Sequence, residues 1–324
     1  MRNLNFEAAI WYLFTSTEFF ETAANDCGVT TKWFANLAVS RQVSNFGRNN
    51  QIHDTFKKLE CNLRRGAALA RLGDYQLIFQ TAESISENIR GMMEQPLHSW
   101  MTKEEHQEFE QVRISRIMAY SSIITLTLHN ALMGAISYFG INPRHPERRN
   151  DDDGLPGSNI IEWYTDYIDY YKEPLFSRLP DPLPNYAVDK SISCNTGDEV
   201  PWTGVWYPST GLEHHSLTFA VKGMRMQAVY RVIKTSEELR TETDMFPLPE
   251  TVAVATAWHP VIVAPPNTDA PAELWSKAGQ QCPKEGVWQP TDVGAAQRYF
   301  RVGDVMPSLG SAYGYTVWRW ISER

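Results

Sequence analysis

The sequence predicts an α+β fold: a helical N-terminal half followed by a Trp-rich, mainly β C-terminal half. Apolar residues recur at helical spacing up to about residue 139. Seven of the eleven tryptophans lie after residue 191, where the pattern changes to short alternating runs. Between the two textures, Pro174, Pro180, Pro182 and Pro184 forbid a helix, which places the expected domains at 1–185 and 190–324.

Composition sets the outer bounds. A chain of 324 residues with 43% hydrophobic and 21% charged side chains belongs with globular proteins, not with collagen or disordered chains. Its length suits two domains, each able to bury a core without metal or disulfide. Cys27, Cys61, Cys194 and Cys282 are far apart and form no C-x-x-C pair, so reduced thiols are expected. The formal net charge of −8 speaks against a grip on nucleic acid, which needs a basic face. Residues 151–190 hold 9 acidic and 3 basic side chains, so most of that net charge sits in one short segment.

In the first half, Phe6, Ile10 and Leu13 form one apolar stripe. Ile52, Phe56, Leu59 and Leu63 form a second, and Ile85, Ile89 and Met92 a third. Thr102 and Glu105 have the spacing of a capping box that starts a long helix running through Ile117. Gly28, Gly47, Gly73 and Gly140 are the expected breaks. Residues 117–139 carry no Asp, Glu, Lys or Arg, but Ser121, Ser122, Thr125, Thr127, His129, Asn130 and Ser137 make them a poor membrane span. A buried central helix is expected instead. The first eighteen residues lack a small-residue cleavage site, and a cytoplasmic location is the expectation.

A polar loop over 144–157 contains Asp151, Asp152 and Asp153. Helical character then resumes, with Ile160, Trp163, Tyr167 and Tyr170 on one face and Glu162, Asp166, Asp169 and Glu173 nearer the other. Three readings of this helix stay open: core packing, a binding surface anchored by Tyr and Trp, or a homodimer seam. Consecutive carboxylates cannot converge on a cation as alternating ligands do, so no metal is assigned to 151–153.

Beyond the prolines, Leu217, Phe219 and Val221 alternate, as do Trp318 and Trp320 about Arg319, and 252–263 is rich in Val, Ala and Thr. Pro247, Pro249, Pro260, Pro265, Pro266 and Pro271 should confine these strands to short or edge pieces. Two segments match at an offset of 82. Gly197, Pro201, Gly204, Val205, Trp206 and Pro208 correspond to Gly279, Pro283, Gly286, Val287, Trp288 and Pro290. With one residue deleted, Phe219 and Val221 pair with Phe300 and Val302, and the expected repeats span about 197–234 and 279–321. Pro followed three residues later by Gly builds a turn that delivers a Val-Trp strand, whose ring can plug a core. Nothing in the motif is a nucleophile, base or metal ligand.

No phosphate-loop, dinucleotide, nucleophile-elbow or zincin motif occurs. Of the eight histidines, only His214 and His215 beside Glu213 suggest a ligand or acid/base group, and adjacent strand residues face opposite ways. The doubled P-x-x-G-V-W-x-P segment and the terminal Thr316, Val317, Trp318, Arg319 and Trp320 resemble immunity proteins of bacterial polymorphic toxin and type VI secretion systems, the immunity protein 71/72 class. That resemblance covers roughly the last 130 residues, and over the first 185 it is architectural only. It implies an antitoxin that binds a cognate toxin in the cytoplasm, a nuclease or nucleotide-degrading enzyme, with no active site and no cofactor. Carboxylates presented to a phosphate-binding cleft would speed association, so Asp151, Asp152, Asp153, Glu162, Asp166, Asp169 and Glu173 are the expected toxin-binding residues. The alternatives are a hydrolase or transferase with its site at Glu213, His214 and His215, and an effector chaperone or adaptor.

Overall fold

The computed structural model describes residues 3–43, 47–93, 97–133, 159–171, 174–211, 216–234, 236–241, 250–263, 274–290, 296–309 and 316–323. Helices come first: α1 (Leu4–Phe14), α2 (Thr17–Ser40), α3 (Gly47–Ala70), α4 (Gln76–Met93), a short 3₁₀ turn, α5 (Lys103–Gln107), a π-helical stretch (Glu108–Ile114), α6 (Ser115–Met133) and α7 (Asn159–Tyr167). Strands follow as β1 (Tyr186–Val188), β2 (Cys194–Asn195), β3 (Gly204–Pro208), β4 (Thr218–Ala220) and β5 (Val229–Lys234). After the short α8 (Ser236–Leu239) come β6 (Glu250–Val254), β7 (Ala257–Val263), β8 (Trp275–Lys277), β9 (Gly286–Pro290), β10 (Arg298–Phe300) and β11 (Val317–Ser322). The fold is α+β, as the hydrophobic periods require.

The capping box forms as expected: the Glu105 amide donates to Thr102 Oγ1 at 3.2 Å, and the Thr102 amide donates to Glu105 Oε2 at 2.8 Å. Among the described residues, no helix is long and apolar enough to cross a membrane. The chain forms two compact units, Met1–Ser16 with Ile123–Asn267, and Thr17–Ser122 with Thr268–Arg324. Each unit combines helices with a β sheet, whereas the expected division at 185–190 follows the change from helical to strand-bearing sequence.

In the first unit, α1 is tied to the sheet β1-β7-β3-β4, to which β2 also belongs through β7. The Tyr12 hydroxyl donates to the Val261 carbonyl at 2.5 Å, and its ring stacks on Tyr186 at 5.5 Å. Glu7 is fully buried, and its Oε1 accepts the Leu217 amide at 2.8 Å. In the second unit, Phe34 meets Phe56, Trp100 and Phe109 at centroid distances of 5.7 to 6.3 Å, joining α2, α3 and the π-helical stretch. The sheet β10-β9-β11-β8 packs on α3 where Val317 buries against Ala68 and Leu69. There the Arg71 guanidinium lies 4.9 Å from the Trp275 ring centre, and Lys277 pairs with Asp74 at 3.1 Å.

The same hydrogen bonds recur in the two matched segments. Gly197 donates to the Met226 carbonyl and Gly279 to that of Met306, at 2.8 and 2.7 Å. Val200 donates to Met224 and Cys282 to Asp304; Gly223 donates to Val200 and Gly303 to Cys282. The buried indoles of Trp206 and Trp288 each donate to the carbonyl four residues earlier, at 3.2 and 3.1 Å. In this correspondence the returning strand is offset by 80, not 81. Gly204 pairs with Ala220, and Gly286 with Phe300. Ala220, not Phe219, therefore stands where Phe300 stands. The smaller side chain is compensated, because Cys194, Val229 and Trp202 pack into the first core, while the second is built from Cys282, Trp288, Phe300, Met306 and Trp318.

Three further expectations are corrected. Gly28 is no break; it lies buried within α2, where a Cβ would come within 2.7 Å of the Glu60 carboxylate, so the small residue serves close helix packing. Pro260 sits inside β7, which pairs with β3 on one side and with β1 and β2 on the other. Its carbonyl accepts the Asp189 amide at 2.9 Å, and its missing N–H falls where β1 gives way to β2, so no ladder bond is lost. Leu217, Phe219 and Val221 do not alternate with exposed neighbours, because 216–221 is buried throughout.

Trp288→Ala should cost the second unit about 3–5 kcal/mol, read as a lowered urea midpoint by circular dichroism. Gly66→Ala should also destabilise that unit, since a Cβ there would sit 2.8 Å from the Ile78 backbone on α4. The check is a fall in melting temperature of several degrees, and an unchanged one would mean α3 and α4 can separate freely.

Candidate functional site

The C-terminal end of α7 carries Tyr167, with Asp169, Tyr170 and Tyr171 just beyond it. Ile160 and Ile168 are buried, and Tyr164 packs on Phe6 at 5.8 Å and Phe176 at 5.6 Å. The Tyr164 hydroxyl accepts the Leu179 amide at 3.0 Å, which fastens the proline-bearing strap back onto α7. The helix ends at Tyr167, before Tyr170, which its spacing assigned to the apolar face. Tyr170 consequently leaves the packed face and stands 68% exposed. It meets Tyr171 edge-on at 4.8 Å and Tyr167 at 6.2 Å, so three tyrosines form one surface cluster.

Asp169 beside them is exposed and paired with Arg178. Glu162 and Asp166 lie on α7. Asp151, Asp152, Asp153 and Glu173 fall outside the described residues, as do Glu213, His214, His215 and Gly140. The motif residues behave as scaffold. Trp206 and Trp288 are fully buried, and Gly286, at φ +145°, lies where a Cβ would strike the Ser322 carbonyl and the Trp320 indole nitrogen. Among the described residues no group of three His, Cys, Asp or Glu side chains could hold a metal ion.

A second cluster follows no motif along the sequence. β3 ends at Pro208 in a turn closed by the Gly211 amide donating to the Pro208 carbonyl at 2.9 Å, with Gly211 at φ +86°. Ser209 follows Pro208, and its amide is anchored on the Ala257 carbonyl at 2.8 Å. On β7, His259 pairs across the ladder with Tyr207. Its Nε2 lies 3.1 Å from Ser209 Oγ and its Nδ1 2.8 Å from the Ile192 carbonyl. The Asp189 carboxylate takes the Ser191 hydroxyl at 2.6 Å and the Ser191 amide at 2.9 Å. These two bonds, helped by His259, hold its carboxyl below the usual range. Fifty residues separate Ser209 from His259, and only strand pairing brings them together. The turn chemistry of Pro208 and Gly211 was the available signal.

Comparison with protein families, with curated proteins and with solved structures finds no match to this chain.

The cysteines are packing groups in this arrangement. Cys27, Cys194 and Cys282 are buried, and burial pushes the Cys27 thiol up to about 12 while raising the other two. At pH 8 these thiols stay protonated, so a disulfide reagent should react quickly with the half-buried Cys61 alone. The other three should follow only on unfolding; fast modification of all four in native protein would contradict this packing.

Proposed function

We propose that this chain is an immunity protein that binds and neutralises a secreted bacterial toxin acting in the cytoplasm, a nuclease or nucleotide-degrading enzyme. The observation that carries the reading is Tyr170, a large aromatic side chain 68% exposed beside the exposed carboxylate of Asp169. Exposed tyrosines are frequent anchors of protein interfaces, because they bury much area at low entropy cost. The excess of acidic residues over 151–190 supports it, since phosphate-handling clefts are basic and opposite charge raises the association rate. The likeness of the doubled Gly-Val-Trp segment to immunity proteins agrees with it. Association with the toxin is then what protects the cell.

The test is co-expression with the protein encoded immediately beside this gene, scored by growth and then by pull-down. Rescue with a stable complex is expected. Tyr170→Ala should weaken the complex by about tenfold or more, as loss of an interface anchor does. Reversing Asp151, Asp152, Asp153, Asp166 and Asp169 together should slow association and flatten its dependence on salt. A harmless neighbour that forms no complex would remove the basis of the reading, and full affinity in the five-residue variant would exclude the acidic segment from the interface.

A further inference from the structure

We propose that Ser209 is a nucleophile, activated by His259, that accepts an acyl group from small activated esters. The argument begins with the positions of the protons. The Ile192 carbonyl can only accept, so the 2.8 Å contact places the imidazole proton on Nδ1. In the neutral imidazole Nε2 is then the bare acceptor, and the Ser209 hydroxyl, 3.1 Å away, donates its proton to it. That is the arrangement in which a general base can withdraw the hydroxyl proton as Oγ attacks. The backbone carbonyl does the orienting that a carboxylate does in the familiar triad.

Two further features fit the role. Ser209 and Thr210 are the middle residues of the Pro208–Gly211 turn. The Ser209 and Gly211 amides are engaged by Ala257 and Pro208, and the Thr210 amide makes no hydrogen bond among the described residues. It belongs to the residue after the nucleophile, where an amide donor can meet a developing oxyanion. Asp189 is the acidic group that interacts electrostatically with His259. Tyr207, opposite His259 on β3, is the other titratable group on the facing strand. The cluster is open to solvent, so it suits a small acyl donor that needs no deep pocket.

In the step itself, Oγ forms a bond to the ester carbonyl carbon as its proton passes to His259 Nε2. The tetrahedral intermediate then expels the alkoxide or phenoxide, which takes the proton from Nε2, leaving acyl-Ser209 and a free alcohol or phenol. Water attacks the acyl-enzyme by the same route, its proton going to Nε2 and then to Oγ, releasing the carboxylic acid. This inference is independent of toxin binding, because the cluster lies in the described backbone around β3 and β7 and not on α7.

The experiment treats the full chain with a fluorophosphonate probe and with p-nitrophenyl acetate, and locates adducts by peptide mass spectrometry. Ser209 should be modified about a hundredfold faster than the other exposed serines, and His259→Gln should remove most of that advantage. Equal rates at all exposed serines, or an undiminished rate in His259→Gln, would overturn the proposal. Should His259→Gln fail to fold, Ser209→Cys decides: its alkylation by iodoacetamide should titrate well below the ordinary thiol range of about 8.5, and an ordinary profile would overturn the proposal.

Discussion

A buried indole N–H left without a partner is costly, and much of the β architecture follows from how Trp206 and Trp288 find theirs. Each donates to the carbonyl four residues earlier, so the turn between Pro and Gly has to fold back over the ring it delivers. At Gly204 that return brings the Trp202 ring so close that no Cβ fits, while at Gly286 the room is taken by Trp320 and Ser322 of the neighbouring strand β11. The buried ring then templates the rest of each core, where Met226 and Trp258 surround Trp206, and Met306 and Trp318 surround Trp288. An unsatisfied indole N–H here would cost about 1–3 kcal/mol, which explains why turn and ring occur together.

The helical parts rest on a different economy. Around Phe34, aromatic rings from α2, α3 and the π-helical stretch interlock at tilted and edge-on angles, while polar groups are spent at the margins. Arg116 reaches Asp26 at 2.6 Å and Arg41 reaches Glu105 at 2.5 Å, bracketing the π-helical stretch from both sides. The first of these is largely buried and helps hold α6 to α2; the second is exposed and adds little. In α1, by contrast, polar side chains work inward, with Asn5, Glu7 and Tyr12 all bonding backbone of the first unit's β-bearing segment. A carboxylate as buried as Glu7 is tolerated because its oxygen meets a backbone amide that burial would otherwise leave unpaired.

The two surfaces with chemical interest differ in how they arise. The tyrosine cluster after α7 owes its exposure to an early helix end, which turns Tyr170 away from the face its spacing assigned it to. The Ser209 and His259 pair is a product of strand register, since moving β7 by one residue against β3 would send His259 to the opposite face. His259 lies on β7, which is paired on both sides, and Ser209 is anchored beside it by its amide on the Ala257 carbonyl.

What the residues alone determined is the class of each element. Helical stripes such as Ile52, Phe56, Leu59 and Leu63, the Thr102 capping box, and the Gly, Pro, Gly and Trp order of the two β segments depend on spacing along the chain, and each is found where it was expected. Local chemistry carries that information because periodicity and turn geometry act over a few residues. The tertiary structure decided what depends on partners distant in sequence. It set Pro260 inside a sheet, Gly28 inside a helix, Ala220 opposite Gly204, and a histidine against a serine fifty residues away. None of these could be read locally, because a missing amide, a missing Cβ or a shared proton acquires meaning only from the group packed against it.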